Sequence, residues 1–240
     1  MAKKRFGCAI ALTAVTITLR LAAGAQGPAQ DVSGIWQATA IDNKVKPADG
    51  GNLPFTPQGL AAYQKNIAGL KAGSIKDDAV RVCVPHGVPR ILRTPYPFQI
   101  LQVPGNITIL YEDNHVFRNV LMNRPPASDE DLEAYPYYSG TSYGRWDGDT
   151  LVIETRGLND RTLIDATGVP HSDKLHVTER LRKINGGKQL ENIVTIEDPQ
   201  TFTKPWSTRF VYESRLDIVL DTSFTCGEPH RQLSERKNGS

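Results

Sequence analysis

Along most of this chain, apolar and polar residues alternate with a period of two, the spacing of β-strands with one buried face. We predict nine strands, at residues 33–41, 97–103, 106–112, 115–121, 141–147, 150–156, 174–183, 189–197 and 206–215. Three dipeptides typical of tight hairpin turns punctuate the pattern: Asp113-Asn114, Asp147-Gly148 and Asn185-Gly186. So many hairpins indicate a mainly β fold, an antiparallel up-and-down barrel or a sandwich.

One segment near the N-terminus has helical spacing instead. Thr56 can cap a helix, and Pro57 fits its first turn. Apolar residues then recur every three or four positions, at Leu60, Tyr63, Ile67 and Leu70. We therefore predict one short helix, and we interpret residues 42–56 and 123–138, rich in Pro, Gly, Asp and Asn, as long loops.

Residues 1–25 have the three parts of a secretory signal peptide. Basic residues 3–5 precede an apolar run, and small residues precede the expected cleavage after Ala25. A membrane anchor is the alternative, but Arg20 leaves the run too short for roughly 30 Å of hydrocarbon. We expect a single barrel domain at residues 26–240, periplasmic or secreted, without stable membrane insertion.

Charge and cysteine content narrow the class further. The net charge is +2 and no block of like charge occurs, so we expect no nucleic-acid surface. Without the signal peptide, two of the three cysteines remain, Cys83 and Cys226. An even pair in an exported chain predicts a disulfide, and a catalytic thiol is the alternative. The sequence leaves a homo-oligomer open.

Hairpin registers identify polar side chains on apolar faces, because the turn sets which residues lie opposite each other. If Ile184 lies opposite Gly187, one face contains these pairs: Leu181 with Leu190, Glu179 with Asn192, Val177 with Val194, and Leu175 with Ile196. The hairpin at Asp113-Asn114 places another set on one face: Ile107, Ile109, Tyr111, Val116, Arg118 and Val120. Glu179 and Arg118 are the only charges on these two faces.

An inward ion without a partner is costly, so we expect Arg118 to pair with Glu179. The pair is either purely structural or marks the floor of a cavity for a small molecule. A register error of one residue would turn both side chains outward. Trp206, Phe210 and Tyr212 share a face of the last strand, where they fill a core or line such a cavity.

The chain contains five histidines: His86, His115, His171, His176 and His230. His171 precedes a predicted strand, and His176 lies within it on the face opposite Glu179. In a strand, His171 and His176 would point to opposite faces, so they are poor co-ligands and we expect no metal site; a site built from His115, His171 and a carboxylate is the alternative. Motifs for a nucleophilic serine, a phosphate-binding loop and a dinucleotide site are absent. We therefore expect any catalysis to be acid–base chemistry without a cofactor.

Several sequence blocks resemble a family of exported bacterial proteins with a lipocalin-like β-barrel. These blocks are Cys83-x-Pro85-x-Gly87-x-Pro89-Arg90, Pro95-Tyr96-Pro97-Phe98-Gln99-Ile100, Gly144-Arg145-Trp146-Asp147-Gly148-Asp149-Thr150-Leu151-Val152 and Pro170-His171-Ser172-Asp173-Lys174-Leu175-His176-Val177-Thr178-Glu179-Arg180. Gly34-Ile35-Trp36 is also similar to the first strand of lipocalin-like barrels. The family's Asp-Gly-Arg turn is replaced here by Met122-Asn123-Arg124. The resemblance implies export and a β fold and supplies no reaction.

Together these features predict a cofactor-free lyase or isomerase that acts on a small hydrophobic metabolite (a terpenoid, steroid or aromatic compound) within the barrel. The predicted catalytic residues are Glu179, Arg118, His171, His176 and Tyr111. The predicted substrate-binding residues are Asn192, Gln99, Tyr96, Tyr143, Arg145, Trp206, Phe210 and Tyr212. The alternative is a lipocalin-like protein that binds a small hydrophobic ligand without chemistry.

Overall fold

The computed structural model of the chain describes residues 30–40, 42–75 and 84–221. The predicted signal peptide and both cysteines of the predicted disulfide, Cys83 and Cys226, lie outside the described residues. Among the described residues, none of the helices is long and apolar enough to cross a membrane.

Nine strands close into a barrel in which each strand pairs with the next and the last pairs with the first. The strands are β1 (Gly34–Ala38), β2 (Phe98–Val103), β3 (Asn106–Tyr111), β4 (Phe117–Met122), β5 (Thr141–Asp147), β6 (Thr150–Arg156), β7 (His176–Ile184), β8 (Gln189–Glu197) and β9 (Trp206–Ser214). All nine predicted strands are present, and the predicted barrel is confirmed.

One neighbouring pair departs from the predicted antiparallel order: β4 and β5 are parallel. A closed ring of strands that alternate in direction needs an even number, so nine strands leave one parallel pair. The connection between β4 and β5 must return along the barrel before β5 begins. It contains the short helix α2 (Asp129–Ala134), which lies within a segment we interpreted as loop. Ser128 caps α2 by accepting a hydrogen bond from the Asp131 N–H at 3.1 Å.

The predicted N-terminal helix, here α1, spans Pro57–Ala72. The Thr56 hydroxyl accepts from the Gly59 N–H at 2.9 Å, and Gly73 ends the helix with φ 72°. α1 packs against loops outside the barrel, since Asn66 donates to the Gly168 carbonyl at 3.0 Å. Tyr63 is part of this contact surface, whereas two residues of the predicted apolar face, Leu60 and Ile67, are exposed.

The β7–β8 hairpin has the predicted inward faces but a different register. Leu181 lies opposite Asn192, and Glu179 lies opposite Val194, two positions from the predicted pairing. The turn contains four residues, 185–188, because Asn185, Gly186 and Gly187 all have positive φ. A shift of two residues preserves the face of every side chain, so Glu179 still points inward.

The barrel interior is packed with large side chains. Trp36, Phe98, Tyr111 and Tyr212 are buried there, and the Phe98 ring lies 4.8 Å from the ring of Tyr212, centroid to centroid. A 3-10 helix at Arg90–Arg93 covers one end, where it buries Ile91 and Leu92. The Tyr212 hydroxyl donates to the Leu92 carbonyl at 2.8 Å and fixes this cover to β9.

The two ends of the barrel differ in their connections. The long connections that follow β1, β6 and β8 all begin at the end of the barrel where these three strands finish, whereas the opposite end carries tight hairpins. We call the first of these the loop end. Since barrels bind ligands at their mouths, this topology makes the loop end the expected location of a small-molecule site.

Candidate functional site

The predicted contact between Arg118 and Glu179 is present inside the barrel. Arg118 Nη1 lies 2.6 Å from Glu179 Oε1, and both side chains are at most 2% exposed. β4 and β7 bring them together because each occupies an inward position of its strand. We call this pair and the polar groups that contact it the interior cluster: Arg118, Glu179, Tyr111, Ser142, Thr155 and Asn192.

The interior cluster contacts all three nitrogens of the Arg118 guanidinium. Nε donates to the Ser142 hydroxyl at 2.8 Å, and Nη2 donates to the Thr155 hydroxyl at 2.6 Å. Glu179 uses its second oxygen to accept from the Asn192 amide at 2.9 Å. Arg118 Nη1 and Glu179 Oε1 meet in the ion pair itself and, like Asn192 Oδ1, have no hydrogen-bond partner among the described residues. The opposite charges of this buried pair offset each other, so removing either partner is costly.

Two tyrosines border the interior cluster. Burial raises the pKa of Tyr111 to about 12, against the opposing effect of Arg118. Burial also raises the pKa of Tyr212 well above its usual range. Both phenols are therefore neutral near pH 7, and each is a hydrogen-bond donor rather than a base.

The two predicted catalytic histidines do not join the interior cluster. Nδ1 of His171 lies 3.0 Å from the Ser172 carbonyl, so it carries the proton and leaves Nε2 to accept from the Thr162 hydroxyl at 2.8 Å. His176 occupies the outer face of β7, 3.9 Å from Glu197. Burial lowers the pKa of both imidazoles.

The predicted substrate-binding residues divide into two sets. Four of them lie on inward positions, namely Asn192, Trp206, Phe210 and Tyr212. Gln99, Tyr143 and Arg145 lie on outward positions, because each alternates with buried neighbours on its strand. Tyr143 instead accepts the Ala127 N–H at 3.0 Å, and Tyr96 is half-buried just before β2. Because side chains alternate between the two faces of a strand, Gln99, Tyr143 and Arg145 point away from the interior cluster.

A second group of polar side chains, which our sequence analysis did not bring together, lies at the loop end. His86 Nδ1 is 2.5 Å from Asp113 Oδ2, and the Asp113 side chain is 1% exposed. His86 belongs to the first sequence block, and Asp113 lies in the β3–β4 turn. A contact across so many residues depends on loop packing and leaves no periodic signal in the sequence.

His86 lines a cavity of about 80 Å³ together with both arginines of the 3-10 helix, Arg90 and Arg93. Asp42 and Asp165 also contribute to its wall. We call this the head cavity.

A larger cavity of about 340 Å³ lies beside the head cavity, and Arg93 and Asp42 contribute to both. It lies between β9 and residues 39–40 and 42–48, which are held to the barrel by the hydrogen bonds Thr39 N–H to Val211 O and Ala48 N–H to Ser207 O. Its apolar wall includes Leu92, Phe210 and Tyr212. We call it the mouth cavity.

Comparison with known proteins assigns no relationship: no protein-family model matches the sequence, and no curated protein is found to be similar. Within the described part of the chain, no group of three or more His, Cys, Asp or Glu side chains is arranged to hold a metal ion.

Proposed function

We propose that this protein binds a small hydrophobic molecule in the mouth cavity, at the loop end of the barrel. The observation that carries this proposal is the mouth cavity itself. Its volume of about 340 Å³ falls within the usual range for small-molecule sites, roughly 300–1,000 Å³. Phe210 and Tyr212, two of the predicted substrate-binding residues, contribute to its wall.

The buried ion pair of the interior cluster favours binding over chemistry in the centre of the barrel. A general base must accept a proton, but both oxygens of Glu179 already contact Arg118 or Asn192. These contacts hold the carboxylate among protein groups. Glu179 and Arg118 then act as an internal link between β4 and β7, and the ligand binds nearer the mouth.

A neutral probe, 1-naphthaleneacetamide, tests the proposal by isothermal titration calorimetry. Ala48 and Ala61 are both exposed alanines, but Ala48 lines the mouth cavity and Ala61 lies on α1. We expect Ala48→Trp to fill the cavity and abolish binding, and Ala61→Trp to bind as the wild type does. Absence of binding to the wild type, or equal binding by both variants, would count against the mouth cavity.

The second candidate is the predicted acid–base enzyme, a lyase or isomerase acting on the same kind of ligand. The His86–Asp113 contact favours it, because a carboxylate that accepts from Nδ1 leaves Nε2 as the nitrogen that carries the lone pair. A histidine oriented by a buried aspartate is a common form of general base. In this scheme the proton transfer occurs at the head cavity rather than at Glu179.

Turnover separates the two candidates. Each compound that binds is incubated with the protein and analysed by mass spectrometry and chromatography. An enzyme that uses His86 is expected to lose conversion in His86→Gln but keep it in His176→Gln. If Glu179→Gln loses conversion while His86→Gln retains it, the general base is Glu179 in the interior cluster. A compound recovered unchanged supports the binding protein.

We also propose that residues 1–25 direct export and that Cys83 and Cys226 form a disulfide in the mature protein. The basic start, apolar run and small residues before Ala25 support export. The even cysteine count in an exported chain supports the disulfide. Mass spectrometry of protein from the periplasm and the medium tests both: a chain starting at Gln26 and two hydrogens lighter than the reduced form is expected.

A further inference from the structure

The 3-10 helix at Arg90–Arg93 has two chemically different sides. Ile91 and Leu92 are buried in the barrel mouth, at 2% and 5% exposure. Arg90 and Arg93 are three positions apart, which places side chains on the same side of a 3-10 helix. Both arginines line the head cavity. The helix thus closes the barrel with one side and presents two guanidinium groups with the other.

Arg93 is incompletely satisfied by the protein. Its Nη2 donates to two carbonyls, Asp42 O and Lys44 O. Its Nη1 is buried and has no hydrogen-bond partner among the described residues. Burial lowers the pKa of Arg93, although Asp165 and Asp42 oppose the shift. A buried donor of a charged group without an acceptor is costly, so the guanidinium gains free energy from any rearrangement that brings an acceptor to Nη1.

The two carboxylates in the wall of the head cavity are engaged elsewhere. Asp165 accepts from the Val45 N–H at 2.8 Å and from both the backbone and the hydroxyl of Thr167. Asp42 lies 2.9 Å from Lys46 Nζ and accepts the Lys44 N–H. Each therefore stabilises its own loop, and neither forms an ion pair with Arg93 within 4.0 Å in the described part of the chain.

The shapes of the two cavities complement each other. The head cavity, at about 80 Å³, is too small for a whole ligand of ordinary size but accepts one small polar group. The mouth cavity, at about 340 Å³, shares Arg93 with it. The Arg93 guanidinium also lies over the Phe210 ring, 5.3 Å from its centroid. A polar head beside Arg93 can therefore be continuous with an apolar tail beside Phe210.

We infer that the ligand is a small apolar carboxylic acid, whose carboxylate binds Arg93 in the head cavity while its tail occupies the mouth cavity. This inference rests on the proposed binding function and adds the chemical class of the ligand. The planar guanidinium matches a carboxylate in geometry and charge, and such charge-assisted bonds are stronger than neutral ones. Arg90 adds a second positive charge in the wall of the same cavity.

A matched pair of probes tests the inference: 1-naphthaleneacetate and 1-naphthaleneacetamide differ in charge but hardly in shape. Calorimetry is performed at neutral pH in a buffer without carboxylates. We expect the acid to bind the wild type at least about tenfold more tightly than the amide. Arg93→Gln should remove this preference by weakening acid binding much more than amide binding, and Arg93→Lys should retain part of it. Arg180→Gln, an arginine on the outer face of β7, is the matched control and should keep the preference.

The outcomes distinguish this inference from the proposed function. Equal binding of acid and amide to the wild type, or an unchanged preference in Arg93→Gln, overturns the carboxylate assignment and leaves the mouth cavity as an apolar site. Binding of neither probe overturns the proposed function and the inference with it. Circular dichroism melts of both Arg93 variants confirm that any loss of binding is measured on folded protein.

Discussion

The interior cluster and the head cavity are two polar sites within one barrel, and they differ in whether the arginine has a carboxylate partner: Arg118 pairs with Glu179, whereas Arg93 forms no ion pair among the described residues. In the interior, all three nitrogens of the Arg118 guanidinium contact protein groups, and both Glu179 oxygens are engaged. At the loop end, Arg93 retains a buried nitrogen without a hydrogen-bond partner among the described residues.

The difference separates two uses of a buried charge. Interior charges that pair with each other hold their strands in one arrangement, because separating them leaves a buried ion without a partner. A charge beside a cavity with one unused donor has a free-energy gain available when an anion binds. Polar residues deep in a barrel are therefore weaker evidence for a site than incompletely satisfied ones near its mouth.

The largest expected effect comes from breaking the interior pair. Arg118→Met or Glu179→Leu leaves one buried ion without a partner, and we expect a loss of about 3–5 kcal/mol in the free energy of unfolding. The double variant should recover most of this loss, because no unpaired charge remains. Urea denaturation measures both. As a control, neutralising the exposed Arg180–Asp147 pair should cost under about 1 kcal/mol. Single variants that cost no more than this control would contradict a structural role.

A smaller effect on the free energy of unfolding tests whether side chains fill the barrel interior. Gly144 faces inward, and a Cβ there would lie 2.6 Å from both Met122 Sδ and Val120 Cγ1. We expect Gly144→Ala to destabilise the barrel by about 1–3 kcal/mol through overpacking. Gly51→Ala, on an exposed loop without positive φ, is the control. A neutral Gly144→Ala would mean that the interior has room for a ligand after all, and would revive the predicted central cavity.

The pH dependence of the unfolding free energy tests His171, a buried histidine at the loop end whose two ring nitrogens both have hydrogen-bond partners. Burial lowers the folded-state pKa of His171 below its ordinary value of 6.5. The unfolded chain therefore takes up this proton first, and stability should fall as pH falls below about 6.5, by up to about 1.4 kcal/mol per pH unit. His171→Gln should reduce this slope, measured by urea denaturation. His176 has the same direction of shift, so a remaining slope should disappear in the double variant. A slope unchanged by either substitution would contradict this account.

The smallest expected effect on stability is that of removing the Arg93 charge, and it is to be compared with the loss in Arg118→Met. Arg93→Met removes an incompletely satisfied charge and keeps an unbranched side chain that can pack on Phe210. We expect the unfolding free energy to change by less than about 1 kcal/mol, in either direction. Thermal melts of Arg93→Met and Arg118→Met, performed side by side without ligand, measure the difference. Equal losses would show that both arginines are structural.

The predictions from sequence were correct where residues close together along the chain decide the structure. Strand periodicity located all nine strands, and the side-chain preferences of Thr56 and Pro57 located the start of α1. The inward faces of β4 and β7 followed from parity, and with them the Arg118–Glu179 contact. The β7–β8 register was wrong by two residues, because turn length depends on which of Asn185, Gly186 and Gly187 adopt positive φ.

The alternation of inward and outward side chains was not applied to three of the predicted substrate-binding residues. Gln99, Tyr143 and Arg145 stood out because they belong to distinctive sequence blocks, yet each alternates with inward residues and lies outside the barrel. The helix α2 was interpreted as loop, because its single turn and a half provides too little periodicity to detect.

By itself, the sequence determined which residues form strands and which of their side chains point inward, because alternation is a local property of the backbone. Tertiary structure alone decided the closure of nine strands with one parallel pair, and the contact between His86 and Asp113. It also decided the degree to which each buried charge is satisfied. Those features depend on where loops of irregular backbone meet, and irregular backbone has no period from which its contacts could be read.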